Sequence, residues 1–460
     1  MGNFRVFCDF GSTFTKCVAF DMEAETLAAR VQTPSTVDTD VTIGLERAIG
    51  ELKKLVSVDD SDIKNAVACS SAAGGLRLAV LGLVPDYTTK AGYLAALGAG
   101  AKVVGAFSYE LSKSEIRELE TLSPDIVLLT GGTDGGNKRT IIHNAQMLAK
   151  SSVGLVIVAG NKSARDDIEE AFEGTDKIII YSPNVMPEFG KLEIESVNEK
   201  IREMFISRIM DAKGIAKVSG IISGVSMPTP SAVLEAAKLI ADGTRDEDGC
   251  GELLLVDVGG ATTDVYSVAS GAPRHGVHLL GLREPYAKRT VEGDLGLFHN
   301  LDTLANLASG ELASNERSEF DRNVHDLHNH LSVPDTDESI RYQLLLSRTA
   351  VKTAVQRHAG RIEPVQTSDG EVWIQRGKDL GGVKLVIGVG GPLSFSVNPR
   401  FVLGGAAAEA GAPYILTPKN PKYMLDSEYI LFAAGLLSSD DPSAALRITK
   451  KYLLDIDAIT

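Results

Sequence analysis

Two stretches decide the fold: residues 7–16 read Phe-Cys-Asp-Phe-Gly-Ser-Thr-Phe-Thr-Lys, and residues 255–264 read Leu-Val-Asp-Val-Gly-Gly-Ala-Thr-Thr-Asp. They align without gaps at a constant offset of 248, the difference between Asp257 and Asp9. In both, an apolar strand ends in an Asp-x-Gly-small-x-x-Thr turn that leads into a second strand. The repeat predicts a duplicated domain built around two equivalent strand-turn-strand segments.

Both turns have the chemistry of a phosphate site. Successive backbone N–H groups in a tight turn of Gly, Ser and Thr point into one concavity that binds anions. An Asp at the mouth of such a turn can hold Mg²⁺ directly or through its water shell, which makes Asp9 and Asp257 the candidate metal-orienting residues. Either turn alone is equally consistent with an ordinary β-hairpin whose turn begins at Asp. The occurrence of two favours a triphosphate held from both sides.

A third glycine-rich element follows an apolar strand at 384–391, which reads Lys-Leu-Val-Ile-Gly-Val-Gly-Gly. Glycine lets a ligand approach the backbone closely, although strand-to-helix turns also carry glycine for steric reasons alone. The chain contains no G-x-x-x-x-G-K-[ST] sequence and no G-x-G-x-x-G after its first strand. A P-loop and the usual dinucleotide fingerprint are therefore excluded.

Composition excludes further classes of protein. The 460 residues include 46 Lys+Arg and 61 Asp+Glu, so the net charge is −15 and a nucleic acid is not an expected partner. The N-terminus lacks the features of a signal peptide, and the least polar stretch, 93–107, is too short to cross a membrane. We therefore expect a cytoplasmic protein without a membrane partner. Cys8, Cys17, Cys69 and Cys250 form no C-x-x-C pair, which favours reduced thiols over a zinc site.

Strand and helix patterns alternate nearly throughout the chain, which predicts an α/β fold with mixed or parallel sheets. Strands are predicted at, among other places, 4–8 and 220–223. The acidic, turn-rich segment 241–251 is predicted to be a crossover between domains. The predicted domains are accordingly 1–248 and 249–460.

The order of motifs along the chain resembles that of the actin, sugar-kinase and heat-shock-chaperone ATPase superfamily. The corresponding segments are 9–16 (phosphate-1), 228–233 (connect-1), 257–264 (phosphate-2), 388–391 (adenosine) and 433–435 (connect-2). Within this superfamily, the phrases at 129–137, 290–296 and 377–380 resemble the accessory protein of coenzyme-B12-dependent glutamate mutase. That family is called MutL or GlmL and is unrelated to the mismatch-repair protein that shares the first name.

The resemblance implies two actin-like (ribonuclease H-like) lobes with ATP or ADP and Mg²⁺ in the cleft between them. By motif position, it implies that Asp9 and Asp257 orient Mg²⁺ and that Thr262 lies near the γ-phosphate, so these are the candidate catalytic residues. The implied nucleotide-binding residues are Gly11, Ser12, Thr13, Lys16, Gly259, Gly260 and Ala261 at the phosphates, and Gly388, Gly390 and Gly391 at the adenosine.

One position departs from the superfamily pattern. Related chaperones carry Glu before the Pro-Thr of connect-1, whereas Met227 precedes Pro228 here. Either Asp257, Asp9 or Asp134 then activates water, or hydrolysis is slow. The resemblance implies a weak ATPase that reactivates a coenzyme-B12-dependent mutase of the glutamate mutase type by exchanging damaged cobalamin. A small-molecule kinase and a non-hydrolysing, ATP-bound interaction protein are the alternative functions.

Three other segments have open interpretations. The loop 131–137 is either an anion site at a helix N-terminus or a plain glycine loop with an Asn cap. The cluster His325, Asp326, His328 and His330 lacks the spacing of a zinc motif, so a solvated helix end is preferred to a metal site. The alternating segment 371–375 around Trp373 predicts hairpin packing.

Overall fold

The computed structural model describes residues 3–11, 13–37, 39–71, 76–210, 215–313, 315–329, 336–368 and 370–458. The chain forms two compact units: unit 1 comprises Met1–Ala236, Gly281–Pro285 and Phe432–Ile448, and unit 2 comprises Ala237–Leu280, Tyr286–Leu431 and Thr449–Thr460. These units are defined by the contacts within the chain, whereas the lobe boundary at residue 248 was inferred from the sequence repeat. That boundary stays a prediction. In the described ranges, no helix is long and apolar enough to span a membrane.

Unit 1 alternates strands and helices over most of its length. Its strands are β1 (Phe4–Phe10), β2 (Phe14–Asp21), β3 (Thr26–Pro34), β4 (Val67–Ser70), β5 (Arg77–Gly82), β6 (Lys102–Ser108), β7 (Ile126–Leu129), β8 (Leu155–Val158), β9 (Ile178–Tyr181) and β10 (Gly224–Pro228). Its helices are α1 (Val41–Leu55), α2 (Asp60–Lys64), α3 (Lys90–Gly98), α4 (Lys113–Leu122), α5 (Arg139–Ala149), α6 (Arg165–Phe172), α7 (Glu195–Met210), α8 (Ile215–Ile221) and α9 (Thr229–Asp242), the last of which extends beyond residue 236.

The first sheet of unit 1 has the strand order β10-β4-β1-β2-β3. β1 is antiparallel to β2 and parallel to β4, so Asp9 lies opposite Lys16 on one side and Cys69 on the other. Helix α1 covers this sheet with Leu45, Ala48 and Leu52, which are spaced three and four residues apart and are fully buried. The helix begins at Asp40, whose side chain accepts a hydrogen bond from the Thr42 N–H.

A second sheet of unit 1 is inserted between β4 and β10 and is parallel throughout, in the order β6-β5-β7-β8-β9. β7 (Ile-Val-Leu-Leu) and β8 (Leu-Val-Ile-Val) are continuously apolar, as expected for parallel strands buried on both faces. One face packs against α4, α5 and α6 through Leu119, Ile141 and Ile168. The opposite face contributes to the same core as α3 and the first sheet.

Unit 2 contains the strands β11 (Leu253–Val258), β12 (Thr263–Val268), β13 (Val277–Leu279), β14 (Ala287–Glu292), β15 (Arg361–Thr367), β16 (Gly370–Arg376), β17 (Leu385–Val389), β18 (Lys422–Asp426) and β19 (Leu453–Asp455). Its helices are α10 (Leu301–Ala308), α11 (Arg317–Asn329), α12 (Asp337–His358), α13 (Gly391–Ser394) and α14 (Pro399–Leu403). Helices α15 (Leu431–Leu437) and α16 (Pro442–Tyr452) belong largely to unit 1.

The main sheet of unit 2 has the order β14-β12-β11-β17-β18-β19. Its first five strands repeat the first sheet of unit 1: in chain order both sheets are arranged 3-2-1-4-5, with strand 2 antiparallel to strands 1 and 3, and strands 1, 4 and 5 parallel. This is the arrangement of a ribonuclease H-like lobe. The predicted α/β class is therefore confirmed. The predicted duplication is confirmed as well, because each unit by itself contains one sheet with this strand order.

A small sheet, β13-β16-β15, completes unit 2. The predicted hairpin around Trp373 is confirmed, because β15 and β16 pair antiparallel and the Trp373 ring stacks on Tyr414 with centroids 6.3 Å apart. The predicted strand at 220–223 is wrong. Gly220 and Ile221 end α8, and the strand begins at Gly224. Val218 of this helix and Ile222 directly after it are buried four residues apart. A short apolar run with this spacing suits either a helix or a strand.

Candidate functional site

The first hairpin turn joins β1 to β2 through residues 11–13. The Gly11 N–H donates to the carbonyl of Phe14 at 3.0 Å, which closes the turn. A side chain at Gly11 would bring its Cβ within 2.7 Å of that carbonyl oxygen, so only glycine fits. Thr13 is exposed, and Ser12 lies outside the described residues. The hairpin thus presents its turn next to a buried carboxylate.

That carboxylate is Asp9, whose residue is 2% exposed at the end of β1. The Thr229 hydroxyl donates to Asp9 Oδ1 at 2.6 Å, and Lys16 Nζ donates to Oδ2 at 3.4 Å. Cys69 Sγ lies 3.6 Å from Oδ1. A buried polar group without partners is strongly unfavourable, so these contacts satisfy the carboxylate oxygens of Asp9 and fix their orientation. Of the residues in this cluster, Asp9 and Lys16 were predicted from the sequence, and the structure places these two in contact.

Thr229 was missed by the sequence prediction as a site residue. It is the first residue of α9, directly after β10, and β10 lies next to β4 in the sheet. The connect-1 motif was the available signal, because it marks the point where this helix begins, at the end of a strand that lies two positions from β1 in the sheet. Met227 pairs with Cys69 in the register of β10 and β4. The position where chaperones carry Glu is therefore occupied by an apolar side chain.

The second hairpin turn, between β11 and β12, has the same closing bond. The Gly259 N–H donates to the carbonyl of Thr262 at 2.9 Å, which is the Gly11–Phe14 bond shifted by 248 positions. Gly259, Gly260 and Thr262 are half-buried, and Ala261 is exposed. The Thr262 hydroxyl donates to Asp264 Oδ2 at 3.0 Å. Thr262, predicted to lie near the γ-phosphate, thus has its hydroxyl directed at Asp264.

Asp264 forms a buried ion pair that the sequence prediction also missed. Arg289 of β14 donates to Asp264 Oδ1 from Nε at 2.8 Å and from Nη2 at 2.6 Å. Burial acts to lower the pKa of Arg289, but Asp264 and then Tyr266 together hold that pKa above its ordinary value. Asp257, half-buried on β11, lies opposite Asp264 in the sheet register. Arg289 therefore compensates negative charge directly beside the second turn.

The residues that directly follow the phrase Thr290–Gly296 support the backbone of this turn. The Gly259 carbonyl accepts from the Leu297 N–H at 3.1 Å, and the Gly260 carbonyl accepts from the Phe298 N–H at 2.9 Å. Asn300 Nδ2 donates to the Ala261 carbonyl at 3.1 Å. The acids of the phrase, Glu292 and Asp294, both bind Arg357 of α12. Residues without an assigned role in the sequence thus form a scaffold for the turn.

The glycine loop after β17 approaches the same turn within unit 2. Gly390 has φ +105°, and a Cβ there would lie 2.1 Å from the Val258 carbonyl and 2.9 Å from Asp257 Oδ1. Glycine is therefore required for the close approach of this loop to Asp257. Gly391 has open space around it, whereas a Cβ on Gly388 would contact the core side chains Leu393 and Leu403. The predicted phosphate-2 and adenosine segments are thus neighbours.

Each of the two turns, taken by itself, has a residue that suits a hard cation accompanied by phosphates. Asp9 and Asp257 offer carboxylate oxygens, the ligand type that Mg²⁺ prefers, and Mg²⁺ needs only one or two from a protein when it accompanies phosphates. Among the residues that the structure describes, no group of three or more His, Cys, Asp or Glu could form a self-contained metal cage. The predicted His cluster lies partly outside those residues; His325 and Asp326 are exposed on α11.

Asp134, an alternative base in the sequence prediction, lies in the loop that follows β7 of the inserted parallel sheet. Its Oδ1 accepts hydrogen bonds from Asn184 Nδ2 at 3.0 Å and from the Lys162 N–H at 3.1 Å. These contacts attach Asp134 to the loops that follow β8 and β9. Asp134 thus lies at the edge of a different sheet from the one that carries Asp9.

Comparison with known proteins identifies relatives along the whole chain. A family profile described as "MutL protein" matches residues 5–453. Protein MutL of Clostridium tetanomorphum is 42% identical over 464 residues, covering 97% of this chain and 98% of that protein.

Solved structures of low identity also align. The activator of 2-hydroxyisocaproyl-CoA dehydratase from Clostridium difficile, with bound ADPNP, is 12% identical with a TM-score of 0.31, and the alignment covers 98% of this chain and 95% of that one. A xylulose kinase from Brucella ovis is 11% identical with a TM-score of 0.33, covering 96% and 92%. The assignment of the fold rests on the strand orders given above.

Proposed function

Because the chain belongs to the MutL protein family, we propose that it binds ATP with Mg²⁺ at its Asp-Gly turns and reactivates a coenzyme-B12-dependent mutase of the glutamate mutase type. The observation that carries the proposal is the repeated hairpin. Each hairpin ends a strand with an Asp, closes with the same Gly N–H bond and has a basic side chain nearby, Lys16 or Arg289.

The two hairpins have different tasks in this proposal. Lys16 lies opposite Asp9 and contacts it at 3.4 Å, so its ammonium is placed beside the turn that is proposed to hold the phosphates. Asp9 keeps its orientation through the shorter Thr229 bond of 2.6 Å. At the second turn, Arg289 remains with Asp264, and Asp257 is the carboxylate assigned to the metal. When Mg²⁺ is bound, it neutralises triphosphate charge near these carboxylates.

Hydrolysis is expected to be slow. The position before Pro228 carries Met227, so the acid that related chaperones use to polarise water has no equivalent there. Loss of a positioned general base forfeits about 10² to 10⁴ in rate. The same observation favours a second candidate, an interaction protein that binds ATP without turnover. A single-turnover measurement separates the two, because only the reactivating ATPase releases phosphate.

ATP can influence a mutase only if the mutase binds the ATP and ADP states with different affinity. A difference of a few kcal/mol is needed for a useful switch. In the proposed cycle, one nucleotide state binds the mutase that contains damaged cobalamin and promotes its release, and the other state dissociates so that intact coenzyme enters. The chain would then act as a chaperone toward the mutase.

Nucleotide binding is tested by calorimetry of MgATP with the full chain. Asp257→Asn should weaken binding about tenfold or more, since truncating a charged contact costs about 1.5–3 kcal/mol. Thr229→Val should also weaken binding, because Asp9 loses its 2.6 Å donor. Asp302→Asn, an exposed Asp on α10, is the matched control and should bind like the wild type. Unchanged affinity in Asp257→Asn would exclude the second turn as a nucleotide site.

Reactivation is tested with glutamate mutase preloaded with an inactive cobalamin. Addition of the chain, ATP and fresh coenzyme should restore mutase activity, and ADP should not. Asp257→Asn should restore less activity at the same ATP concentration. If the mutase neither associates with the chain in either nucleotide state nor releases its cobalamin, the reactivation proposal is wrong, and screening for phosphorylated small molecules would test the kinase alternative.

A further inference from the structure

The inserted parallel sheet of unit 1 has a topology that creates ligand sites. In the order β6-β5-β7-β8-β9, the chain moves from β5 to one side and then to the other. Sheets of this doubly wound type bind ligands outside the carboxyl ends of their strands. Here a cavity of about 400 Å³ lies beyond the ends of β7, β8 and β9. This volume is in the range of small-molecule sites.

The loops around this cavity are fixed by two asparagines. Asn161, after β8, donates from Nδ2 to the Gly136 carbonyl at 3.1 Å and accepts from the Gly135 N–H at 3.1 Å. Asn184, after β9, donates to the Gly132 carbonyl at 3.0 Å. Both asparagines are buried. The glycine-rich loop 131–137 is therefore held in place before any ligand binds, which reduces the entropy lost on binding.

Two hydroxyl groups at the cavity lack partners. Tyr181 Oη and Ser182 Oγ are buried, and the residues that the structure describes offer neither of them a hydrogen bond. Both residues line the cavity. Native proteins rarely leave buried polar groups unpaired, and such a group calls for a ligand or an ordered water. Burial, with a further effect of Glu169, raises the pKa of Tyr181, so its hydroxyl keeps its proton and can donate.

The charged groups at the cavity differ in how many hydrogen bonds and ion pairs they already form. The acids Asp134 and Glu193 already have partners, since Asp134 accepts from Asn184 and Lys162 N–H, and Glu193 binds Lys191 at 2.6 Å. The Lys162 ammonium has only a 3.6 Å contact with Asp134. The Arg165 guanidinium lies 4.4 Å from the centre of the Tyr181 ring, and its Nε donates to Glu169 at 2.9 Å. Among the described residues, the Tyr181 and Ser182 hydroxyls and the Lys162 ammonium are thus the donors at the cavity that keep hydrogen-bonding capacity.

We propose that this cavity binds a small organic anion through the hydroxyls of Tyr181 and Ser182, with Lys162 and Arg165 beside its charge. A carboxylate and a phosphate share the required chemistry, since both accept several hydrogen bonds from neutral and cationic donors. This site is additional to the nucleotide turns, because its residues come from the parallel sheet and from none of the nucleotide motifs.

The proposal is tested by calorimetry of the full chain with two probes, inorganic phosphate and succinate, in the presence of saturating MgATP. At least one probe should bind, and the one that binds identifies the anionic group. Tyr181→Phe and Ser182→Ala should each weaken that binding about tenfold or more, as expected for loss of a hydrogen bond to a charged group. Neither substitution removes a bond present in the free protein, so folding should be retained.

Matched controls are Tyr109→Phe and Ser152→Ala, which remove exposed hydroxyl groups elsewhere in unit 1 and should bind the probe like the wild type. Hydrogen exchange should show protection by the probe in peptides covering 130–137 and 160–184. Absence of binding by both probes, equal affinity in Tyr181→Phe and Ser182→Ala, or protection confined to 9–16 and 255–264 would each overturn the proposal.

Discussion

Asp264 lies directly opposite Asp257 in the hairpin of β11 and β12, at the register position where the first hairpin has Lys16 opposite Asp9. The duplicated hairpins therefore have the same backbone pairing, but they carry charges of opposite sign at this position. In the first, the neighbouring strand supplies the cation. In the second, β14 supplies it as Arg289, which binds Asp264. The cation that neutralises the carboxylate thus lies on β2 in the first hairpin and on β14 beside the second.

Removal of Arg289 should be among the most destabilising single changes in unit 2. Arg289→Met leaves the Asp264 carboxylate buried without its cation, which costs about 3–5 kcal/mol for a broken buried pair. Chemical denaturation monitored by Trp373, the one tryptophan and a residue of unit 2, measures the effect. Arg376→Gln, at an exposed pair with Glu363, is the control and should change the midpoint little. Equal midpoints for both variants would contradict the role of Arg289.

Unit 2 should lose stability as the pH falls below about 6.5, the ordinary pKa of histidine. Burial, and then Lys288 and Lys378, hold the pKa of His358 well below that value. The ring is fixed by Ser267 and Thr290, each 2.8 Å away. Because the unfolded state takes up a proton that the folded state refuses, the stability present above pH 6.5 is lost below it.

This loss is measured by denaturation midpoints between pH 8 and pH 5. His358→Gln should show a shallower fall in midpoint below pH 6.5 than the wild type, though with lower stability at pH 8 because its hydrogen bonds change. His278→Gln, at an exposed site on β13, should follow the wild type. A wild-type midpoint independent of pH across this range would show that His358 does not control the transition.

Alkylation should modify one cysteine per folded chain. Cys250 is exposed, whereas Cys8, Cys17 and Cys69 are buried. The contact with Cys17, and then burial, raises the pKa of Cys8; burial, and then Asp9, raises the pKa of Cys69. Since the thiolate is the reactive form, these thiols should stay unmodified. Mass spectrometry after iodoacetamide should find one adduct in the wild type, none in Cys250→Ser, and four in denatured wild type.

Gly435 should tolerate no side chain. On α15 it packs against α9 so closely that a Cβ would lie 1.8 Å from the Ala232 carbonyl oxygen. Gly435→Ala should therefore destabilise unit 1 by about 1–3 kcal/mol, the cost of overpacking. Gly310→Ala, at a position with open space around the Cβ, is the control. Thermal denaturation compares them, and an unchanged melting temperature for Gly435→Ala would disprove the close approach.

Local patterns in the sequence predicted the two hairpins because an Asp-Gly turn between apolar strands determines its own geometry. Gly11 and Gly259 close their turns as the repeat requires. The partners of the carboxylates could not be predicted in this way, because Thr229 and Arg289 are brought to the site by strand pairing over long sequence distances. The inserted parallel sheet was foreseen only as alternating strands and helices, since its strand order depends on tertiary packing.

The insertion of that sheet also sets an order for folding. Strands β4 and β10 pair at Val67 and Gly224, so their contact closes a loop of 157 residues (224 minus 67). Strands β7 and β8 pair at Val127 and Val156, only 29 residues apart (156 minus 127). Contacts between residues close in sequence form faster because less chain entropy is lost. Pulse-labelled hydrogen exchange during refolding should therefore protect the amides of β7 and β8 before those of β10.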